Sequence, residues 1–162
     1  MIRAALIALF LMFTAAPVSA DVFDDAMSAY NRGDYAAAAS GFRTLAEQGD
    51  ATAQSNLGDL YFKGQGVPQN YAEAVKWYRR AAEQGNAYAQ GRLGVSYYEG
   101  LGVPQNYVIA HMWVNLAAAN GSPGAAAARD ALASLSMMTP ADISEAQRRA
   151  NKCLASNYRD CD

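Results

Sequence analysis

The sequence GQGVPQNY at residues 64–71 returns as GLGVPQNY at residues 100–107. The two copies lie 36 residues apart and differ at one position. Self-similarity at a fixed period of roughly 20–50 residues is typical of repeat architectures. Because the match is long and returns at one fixed offset, chance does not explain it, and we predict a repeat protein.

The same offset relates single positions along a longer part of the chain. Alanine, tyrosine and glycine recur in three successive units, at Tyr35, Tyr71 and Tyr107, at Ala38, Ala74 and Ala110, at Ala46, Ala82 and Ala118, and at Gly49, Gly85 and Gly121. Residues 22–50, 51–86 and 87–122 are therefore predicted to be three units of one repeat. The first unit lacks the longer loop and is interpreted as an atypical capping repeat.

The first helix of each later unit is predicted over residues 51–63 and 87–99. Apolar or small residues recur there at helical spacing, at Ala53, Leu57 and Tyr61 in the earlier unit. One helical hairpin cannot bury such a stripe alone, whereas stacked hairpins bury it between them. The predicted fold class is therefore all-α, an α/α solenoid of stacked helical hairpins with 36-residue repeats.

The second helix of each unit follows the glycine-rich loop. Asn70 is predicted to cap this helix, with Glu73 as its capping-box partner. Gly64 and Gly85 are predicted to end the first and second helices, because glycine adopts the left-handed conformation without strain.

The chain after the repeats is predicted to cap the solenoid, with capping helices within residues 123–155 and a short tail at residues 156–162. An alanine-rich helix is expected over about residues 124–135. Thr139 and Pro140 are typical of the N-cap and the first position of a further helix.

Residues 1–20 have the pattern of a secretory signal peptide. Arg3 precedes an uncharged apolar run over residues 4–16, and the sequence VSA that follows fits the small-x-small cleavage rule. A membrane-spanning helix needs about 20 apolar residues, and this run is shorter. We predict cleavage after Ala20, which leaves residues 21–162 as one helical-repeat domain in the periplasm or outside the cell. An uncleaved membrane anchor is the alternative.

Composition and charge exclude several classes of protein. Hydrophobic residues make up 52% of the chain, which supports a packed core and argues against disorder. Loss of residues 1–20, which hold one basic residue, changes the net charge from −2 to −3. An acidic chain without a basic run is not typical of nucleic-acid binding. We expect no nucleic-acid partner, and no membrane span after signal cleavage.

Cys153 and Cys161 both lie in the part of the chain predicted to be exported. In an oxidising compartment such an even pair usually forms a disulfide, which is the prediction here. Two free thiols are the alternative. A zinc site needs four ligands, so no metal site is expected from this pair.

No catalytic or cofactor site is predicted. His111 is the only histidine, and no proton-transfer partner is indicated near it, so a packing or solvent-facing role is favoured. The Gly-x-Gly loops follow helices, whereas a phosphate-binding loop follows a strand. Trp77 and Trp113 occupy equivalent repeat positions, where packing is favoured over carbohydrate stacking. We therefore expect no enzyme and no cofactor.

The repeat unit resembles the Sel1-like repeat family, a relative of the tetratricopeptide repeats. The resembling residues are Ala53-Gln54, Leu57-Gly58, Tyr61, the string from Gly64 to Tyr71, Ala74, Trp77-Tyr78 and Ala81 to Gly85, with their counterparts from Ala89-Gln90 onward. The C-terminal part is similar to the ending of exported bacterial members through Arg129-Asp130, Met138-Thr139-Pro140 and Ala146-Gln147.

The resemblance implies a non-catalytic scaffold or adaptor that binds a protein partner, whose identity it does not indicate. One alternative is a periplasmic regulator that inhibits a membrane sensor protein, as some similar exported repeat proteins do. A second alternative is an enzyme or accessory protein associated with cell-wall glycan, which would need convergent carboxylates that the sequence does not indicate. A cysteine-rich branch of the family is linked to β-lactam binding, but residues 22–122 contain no cysteine.

The binding face is predicted on the first helices of the units, which line the concave side in related solenoids. Residues opposite the core stripe of each helix are assigned to this face. They are Asp59, Phe62, Lys63, Tyr88, Arg92, Val95, Tyr98 and Glu99, with Ser55 and Gly91 earlier on the same side. Packing of Phe62 and Tyr98 against the neighbouring unit is the alternative to a role in recognition.

Overall fold

The computed structural model describes residues 18–135 and 137–161, with side chains described from residue 21 onward. Eight helices lie in this part of the chain: α1 Val18–Asn31, α2 Tyr35–Glu47, α3 Ala51–Lys63, α4 Tyr71–Ala82, α5 Ala87–Glu99, α6 Tyr107–Ala119, α7 Ala125–Ser134 and α8 Pro140–Ala155. These described residues contain no strand. Apart from its last three positions, the predicted signal peptide at residues 1–20 lies outside the described residues.

Consecutive helices form hairpins that stack in chain order. Helix α1 packs on α2, α3 on α4 and α5 on α6, while α2 contacts α3 and α4 contacts α5 across the junctions between hairpins. After the third hairpin, α6 contacts both α7 and α8. The predicted α/α solenoid is confirmed, and the two C-terminal helices cover its last hairpin.

Helices α3 and α5 have the bounds that the sequence predicts. Each begins after a side-chain cap, since Asp50 accepts the N–H of the third helical residue of α3 and Asn86 does the same in α5. Each ends at a left-handed glycine, Gly64 with φ 68° and Gly100 with φ 72°.

Helix α4 begins at its predicted cap, with the Asn70 side chain accepting the Glu73 N–H at 3.0 Å. The Glu73 carboxylate does not complete a capping box. It forms an ion pair with Lys76 Nζ, one turn further along the exposed side of the helix, at 2.5 Å. Charge attraction along the helix surface therefore replaces the predicted backbone contact.

Gly85 closes the C-terminal end of the same hairpin. Its φ is 82°, its N–H donates to the Ala82 carbonyl at 2.9 Å, and the Asn86 N–H donates to the Ala81 carbonyl at 3.1 Å. These two bonds form a Schellman motif, which satisfies carbonyl groups that the helix end leaves unpaired.

The repeated loop packs directly on the preceding unit. A Cβ at Gly66 would lie 2.1 Å from the Tyr35 carbonyl oxygen, and a Cβ at Gly102 would lie 2.4 Å from that of Tyr71. Both glycines also have positive φ, 71° and 76°. Only glycine fits these positions, so the loop sets the spacing of successive units.

Small side chains between the helices let them approach closely. Ala38, Ala74 and Ala110, at one position in three units, are fully buried, and Tyr78 and Trp113 fill the remaining space. No helix among the described residues is long and apolar enough to cross a membrane.

Buried amides add a polar link between units. Gln54 Nε2 donates to the Ala46 carbonyl at 3.0 Å, and Gln84 Nε2 donates to Gln54 Oε1 at 2.8 Å. The same two bonds recur one unit later around Gln90 and Asn120. Each buried amide is thereby paired, which avoids the cost of an unsatisfied polar group.

The C-terminal tail is attached to the repeats at two points. Cys153 in α8 and Cys161 form a disulfide, and both side chains are buried. Tyr158 OH donates to Asn120 Oδ1 at 2.9 Å, which joins the tail to the end of α6.

Candidate functional site

The predicted binding residues lie on α3 and α5, but they differ in exposure. Tyr88 is 50% exposed and Val95 is 38% exposed. The side chains of Asp59 and Arg92 are mostly buried, with 13% and 23% exposed. Ser55 is buried and its hydroxyl donates to the backbone of its own helix, so its expected place on the outer face is wrong.

Asp59 lies at the centre of a polar network that joins α3, α4 and α5. Its Oδ1 accepts a hydrogen bond from Tyr78 OH at 2.5 Å, and its Oδ2 accepts one from Tyr88 OH at 2.5 Å. Arg92 Nε lies 3.3 Å from Asp59 Oδ1 and donates to Tyr78 OH at 3.1 Å. The network connects residues 51–86 to residues 87–122 and holds Tyr88 in place at the surface.

The contacts of the network raise the pKa values of Tyr78, Tyr88 and Arg92. Burial, and then the hydrogen bond to Asp59, raise the pKa of both Tyr78 and Tyr88 well above the ordinary tyrosine value. Burial lowers the pKa of Arg92, but the hydrogen bond to Tyr78 and the electrostatic interactions with Tyr78, Asp59 and Tyr88 together raise it by more. Both phenols therefore remain donors near neutral pH, which suits a positioning role rather than proton transfer.

Phe62 and Tyr98 are half-buried and pack against the second helix of their own unit. The Phe62 ring lies 5.0 Å from the Tyr71 ring, and the Tyr98 ring lies 5.6 Å from the Tyr107 ring. The guanidinium carbon of Arg92 lies 4.2 Å from the centre of the Phe62 ring. Both aromatics therefore have a packing role. Phe62 also contacts the neighbouring unit through Arg92, as the packing alternative expects, whereas the Tyr98 ring contacts Tyr107 of its own unit.

A groove lies between α5 and α7, with α6 forming its floor. It has two adjoining halves of about 290 and 330 Å³ that share Val95, Val114 and Ala128. The first half also contains Tyr98, Glu99 and Leu132, and the second contains Tyr88, Arg92 and Gly124. We call this feature the α5–α7 groove.

The groove occupies the position that the Asp59 network fills one unit earlier. At the 36-residue offset Asp59 and Tyr78 correspond to Val95 and Val114 within the repeats. The same offset from Tyr88 and Arg92 leads to Gly124 and Ala128, which lie at the start of α7, a helix that begins two residues later in this register than α5. Large polar side chains are thus replaced by small or apolar ones, which leaves the space open. The binding-face prediction missed Val114, Gly124 and Ala128, although a comparison at the repeat offset identifies them.

The Sel1 repeat profile matches residues 51–86 and 87–122, which are the two units that carry the long loop. The chain contains two Sel1 repeats. Sel1 repeat proteins are protein-interaction modules, and the fold is typically a non-catalytic scaffold.

Two solved structures share the Sel1 repeat fold with this chain. A protective antigen of uropathogenic Escherichia coli strains, which displays an SLR fold, matches with TM-score 0.79 and 27% identity, over 86% of this chain and 31% of its own. A Sel1 repeat protein from Oxalobacter formigenes matches with TM-score 0.64 and 39% identity, over 68% of this chain and 46% of its own. This chain spans less than half the length of either. No curated protein matches it.

Lys63 lies apart from the Asp59 network, at the C-terminal end of α3 in the first matched Sel1 repeat. Its Nζ is 3.3 Å from Tyr30 OH, so the side chain leans on α1 rather than on α5. Of the predicted residues, Asp59, Phe62, Tyr88 and Arg92 meet at one junction, and Val95, Tyr98 and Glu99 line the α5–α7 groove.

The remaining candidates for chemistry have structural positions in the Sel1 scaffold. His111 is buried, faces a polar cavity between α6, α7 and α8, and has its pKa lowered first by burial and then by the charge of Arg129. Trp113 is fully buried, and Trp77 packs beside Arg80. The described residues contain no cluster of side chains that would hold a metal ion.

Proposed function

We propose that this Sel1 repeat protein is exported and acts outside the cytoplasm as a non-catalytic protein-interaction module, with the face formed by α3, α5 and α7 as its binding surface. One observation carries the proposal. Tyr88 and Val95, two of the four exposed large hydrophobic side chains among the described residues, lie together on this face. Adjoining exposed apolar and aromatic side chains mark interaction sites on soluble proteins.

The Asp59 network supports this role because it fixes one of the two side chains in advance. Tyr88 is bonded to Asp59, so little side-chain freedom remains to be lost on binding. Ordering a mobile side chain at an interface costs about 0.5–1.5 kcal/mol, and a fixed tyrosine avoids much of that cost.

The binding half of the proposal is tested by two matched serine substitutions. Val95 and Leu154 are exposed to nearly the same extent, 38% and 39%, but Leu154 lies on α8. Cross-linked capture of a partner from envelope extracts should fall several-fold for Val95→Ser and stay unchanged for Leu154→Ser, with equal unfolding midpoints. Equal capture by both variants would place binding elsewhere.

The export half is tested by the N-terminus of the protein recovered from a bacterial envelope fraction. Mass spectrometry should find a chain that starts at Asp21, after cleavage behind Ala20. A chain that still starts at Met1 would contradict export.

The non-catalytic part of the proposal is tested with purified cell-wall glycan. Release of soluble fragments from this glycan by the protein would contradict it.

A further inference from the structure

We propose that the α5–α7 groove binds an extended segment of a partner protein in which bulky apolar residues lie between an acidic and a basic residue. The inference rests on the proposed function and specifies the chemistry of its partner. It has three supports: the apolar floor of the groove, its size, and the opposite charges at its two ends.

The floor and walls of the groove are apolar. Val95, Val114 and Ala128 line both halves, and Leu132 extends the apolar surface toward the end of α7. Val95 and Ala128 are both exposed. Burial of a leucine or phenylalanine side chain against such a surface is favourable in proportion to the apolar area removed from water.

The size of the groove favours an extended segment over a helix. The open space corresponds to side chains absent at Gly124 and Ala128, and the larger half measures about 330 Å³. A helix with its side chains is about 10–12 Å across, which is as wide as a helix of the scaffold itself. An extended segment inserts single side chains and needs no such width.

Charged groups of opposite sign flank the apolar floor. Arg92 lies in the half beside the first residues of α7, and Glu99 lies in the half beside Leu135. Arg92 is paired with Asp59 and stacked on Phe62, but among the described residues its hydrogen bonds use Nε, so its Nη groups can donate to an acidic group of a partner. Glu99 is exposed, makes no ion pair among the described residues, and lies at the C-terminal end of α5, where cations are favoured.

The distance between these charges sets the spacing in the partner. Glu99 lies seven positions after Arg92 in α5, and at 1.5 Å per residue this is about 10 Å along the helix. An extended chain in the polyproline II conformation rises about 3.1 Å per residue and has three residues per turn, so an acidic and a basic residue three positions apart project from the same side about 9 Å apart. Two apolar residues fit between them.

The test uses a fluorescently labelled peptide, GSDLFKSG, titrated into the mature protein and followed by anisotropy. Three control peptides change one property each: GSDSSKSG removes the apolar pair, and GSDLFDSG and GSKLFKSG make both charges alike. GSDLFKSG should bind, GSDSSKSG should bind at least about tenfold more weakly, and the like-charge peptides several-fold more weakly. Failure of GSDLFKSG to bind, or equal affinity for all four peptides, would overturn the proposal.

Two protein variants locate the binding. Ala128→Met fills the groove from an exposed helical position, and Ala127→Met adds the same side chain at an exposed position that does not line it. Affinity for GSDLFKSG should fall about tenfold or more with the first variant and stay unchanged with the second. Equal affinity of both variants would overturn the assignment to the groove.

The outcome for the groove can be separated from the outcome for the proposed function. Suppose that the envelope partner is lost by Val95→Ser but captured in full by Ala128→Met. The interaction module then stands and the α5–α7 groove is not its binding site. Sedimentation tests whether the groove instead binds a second copy of this chain. If the wild-type protein dimerises and Ala128→Met abolishes the dimer, the proposal that the groove binds a segment of a partner protein is overturned.

Discussion

The junction between α3 and α5 and the junction between α5 and α7 follow one another along the stack and differ in the side chains that fill them. At the first, Asp59, Tyr78, Tyr88 and Arg92 form bonds between units. At the second, small and apolar side chains leave an open groove. The stacked core is compatible with either, because alanines and glycines set the helix spacing. The outer side chains decide whether a junction is closed and structural or open to a partner.

The junction between α1 and α3 shows a third arrangement. Phe23 and Phe42 lie one unit before Asp59 and Tyr78, and their rings meet edge to face at 5.8 Å. This aromatic contact joins α1 to α2 within the first hairpin, and the contact across to α3 is made by Asn56 Nδ2, 3.9 Å from Met27 Sδ. The junction between α5 and α7 differs from both earlier ones in combining apolar character with small residues.

The largest loss of stability should come from substitutions in the glycine-rich loops, which are alike in both long-loop units. Gly66→Val and Gly102→Val each place a branched side chain at positive φ and within 2.4 Å of a backbone oxygen. Each should lower the free energy of unfolding by more than about 3 kcal/mol, measured by urea titration with circular dichroism. Gly91→Ala is the control, since a Cβ there meets no atom within 4 Å. A strong effect in one loop alone would show that the two units are not stacked alike.

The second prediction addresses the junctions directly. Asp59→Ala leaves the mostly buried Arg92 and the buried phenol of Tyr78 without their acceptor. It should lower the free energy of unfolding by about 2–3 kcal/mol. Val95→Ala, at the equivalent position, should cost less than about 1 kcal/mol because the side chain is exposed. Equal losses would remove the distinction between a structural junction and an open one.

The sequence predicts the repeated parts of this fold well because the residues that recur at the repeat period are the ones that pack between the helices. The bounds of α3 and α5, the caps at Asn70 and Thr139 and the left-handed glycines all follow from local residue types. These features depend on the chain within one turn or one hairpin. The period then fixes how hairpins stack.

The candidate site is predicted less well because its residues interact across units. Helical spacing places Asp59 on the outer side of α3, but it cannot show that Tyr78 and Arg92 will cover it. The same reasoning assigns Ser55 to the surface, where the structure buries it. The groove depends on side chains that are absent, at Gly124 and Ala128, and a search for binding residue types passes over such positions.

The third prediction concerns the C-terminal side of the open junction. The double substitution Cys153→Ser and Cys161→Ser opens a short loop that ties the tail to α8. Because the disulfide restricts the unfolded chain, its loss should lower the free energy of unfolding by about 2 kcal/mol. Hydrogen exchange should rise in α8 and at the end of α6, and not in α3. Thiol labelling of the exported wild-type protein without reductant should find no free thiol. Full labelling of both cysteines would show that the bridge does not form in the cell.

The smallest effect should be a pH dependence confined to the C-terminal junction. His111 lies on α6, and the charged groups that face it from α7 are Arg129 and Asp130. Burial, and then the charge of Arg129, lower the pKa of His111, while Asp130 acts in the opposite direction. A histidine with a lowered folded pKa binds a proton more readily when unfolded. Its contribution to stability is therefore fully present above the unfolded value of about 6.5 and is lost as pH falls through the folded value.

Between pH 7 and pH 5 the wild-type protein should lose up to about 1 kcal/mol more stability than a His111→Gln variant, measured by urea unfolding at each pH. The α3–α5 junction contains no histidine, so protection of α3 against hydrogen exchange should fall no more than global stability does. Asp142 and Glu145 also have lowered pKa values, from hydrogen bonds to Thr139 and to Arg148 respectively. Their contributions are lost only at more acidic pH than this window. If the variant shows the same loss as the wild type, then His111 accepts its proton without disturbing the packing of α6 against α7 and α8, and the cavity beside it is accessible to water in the folded protein.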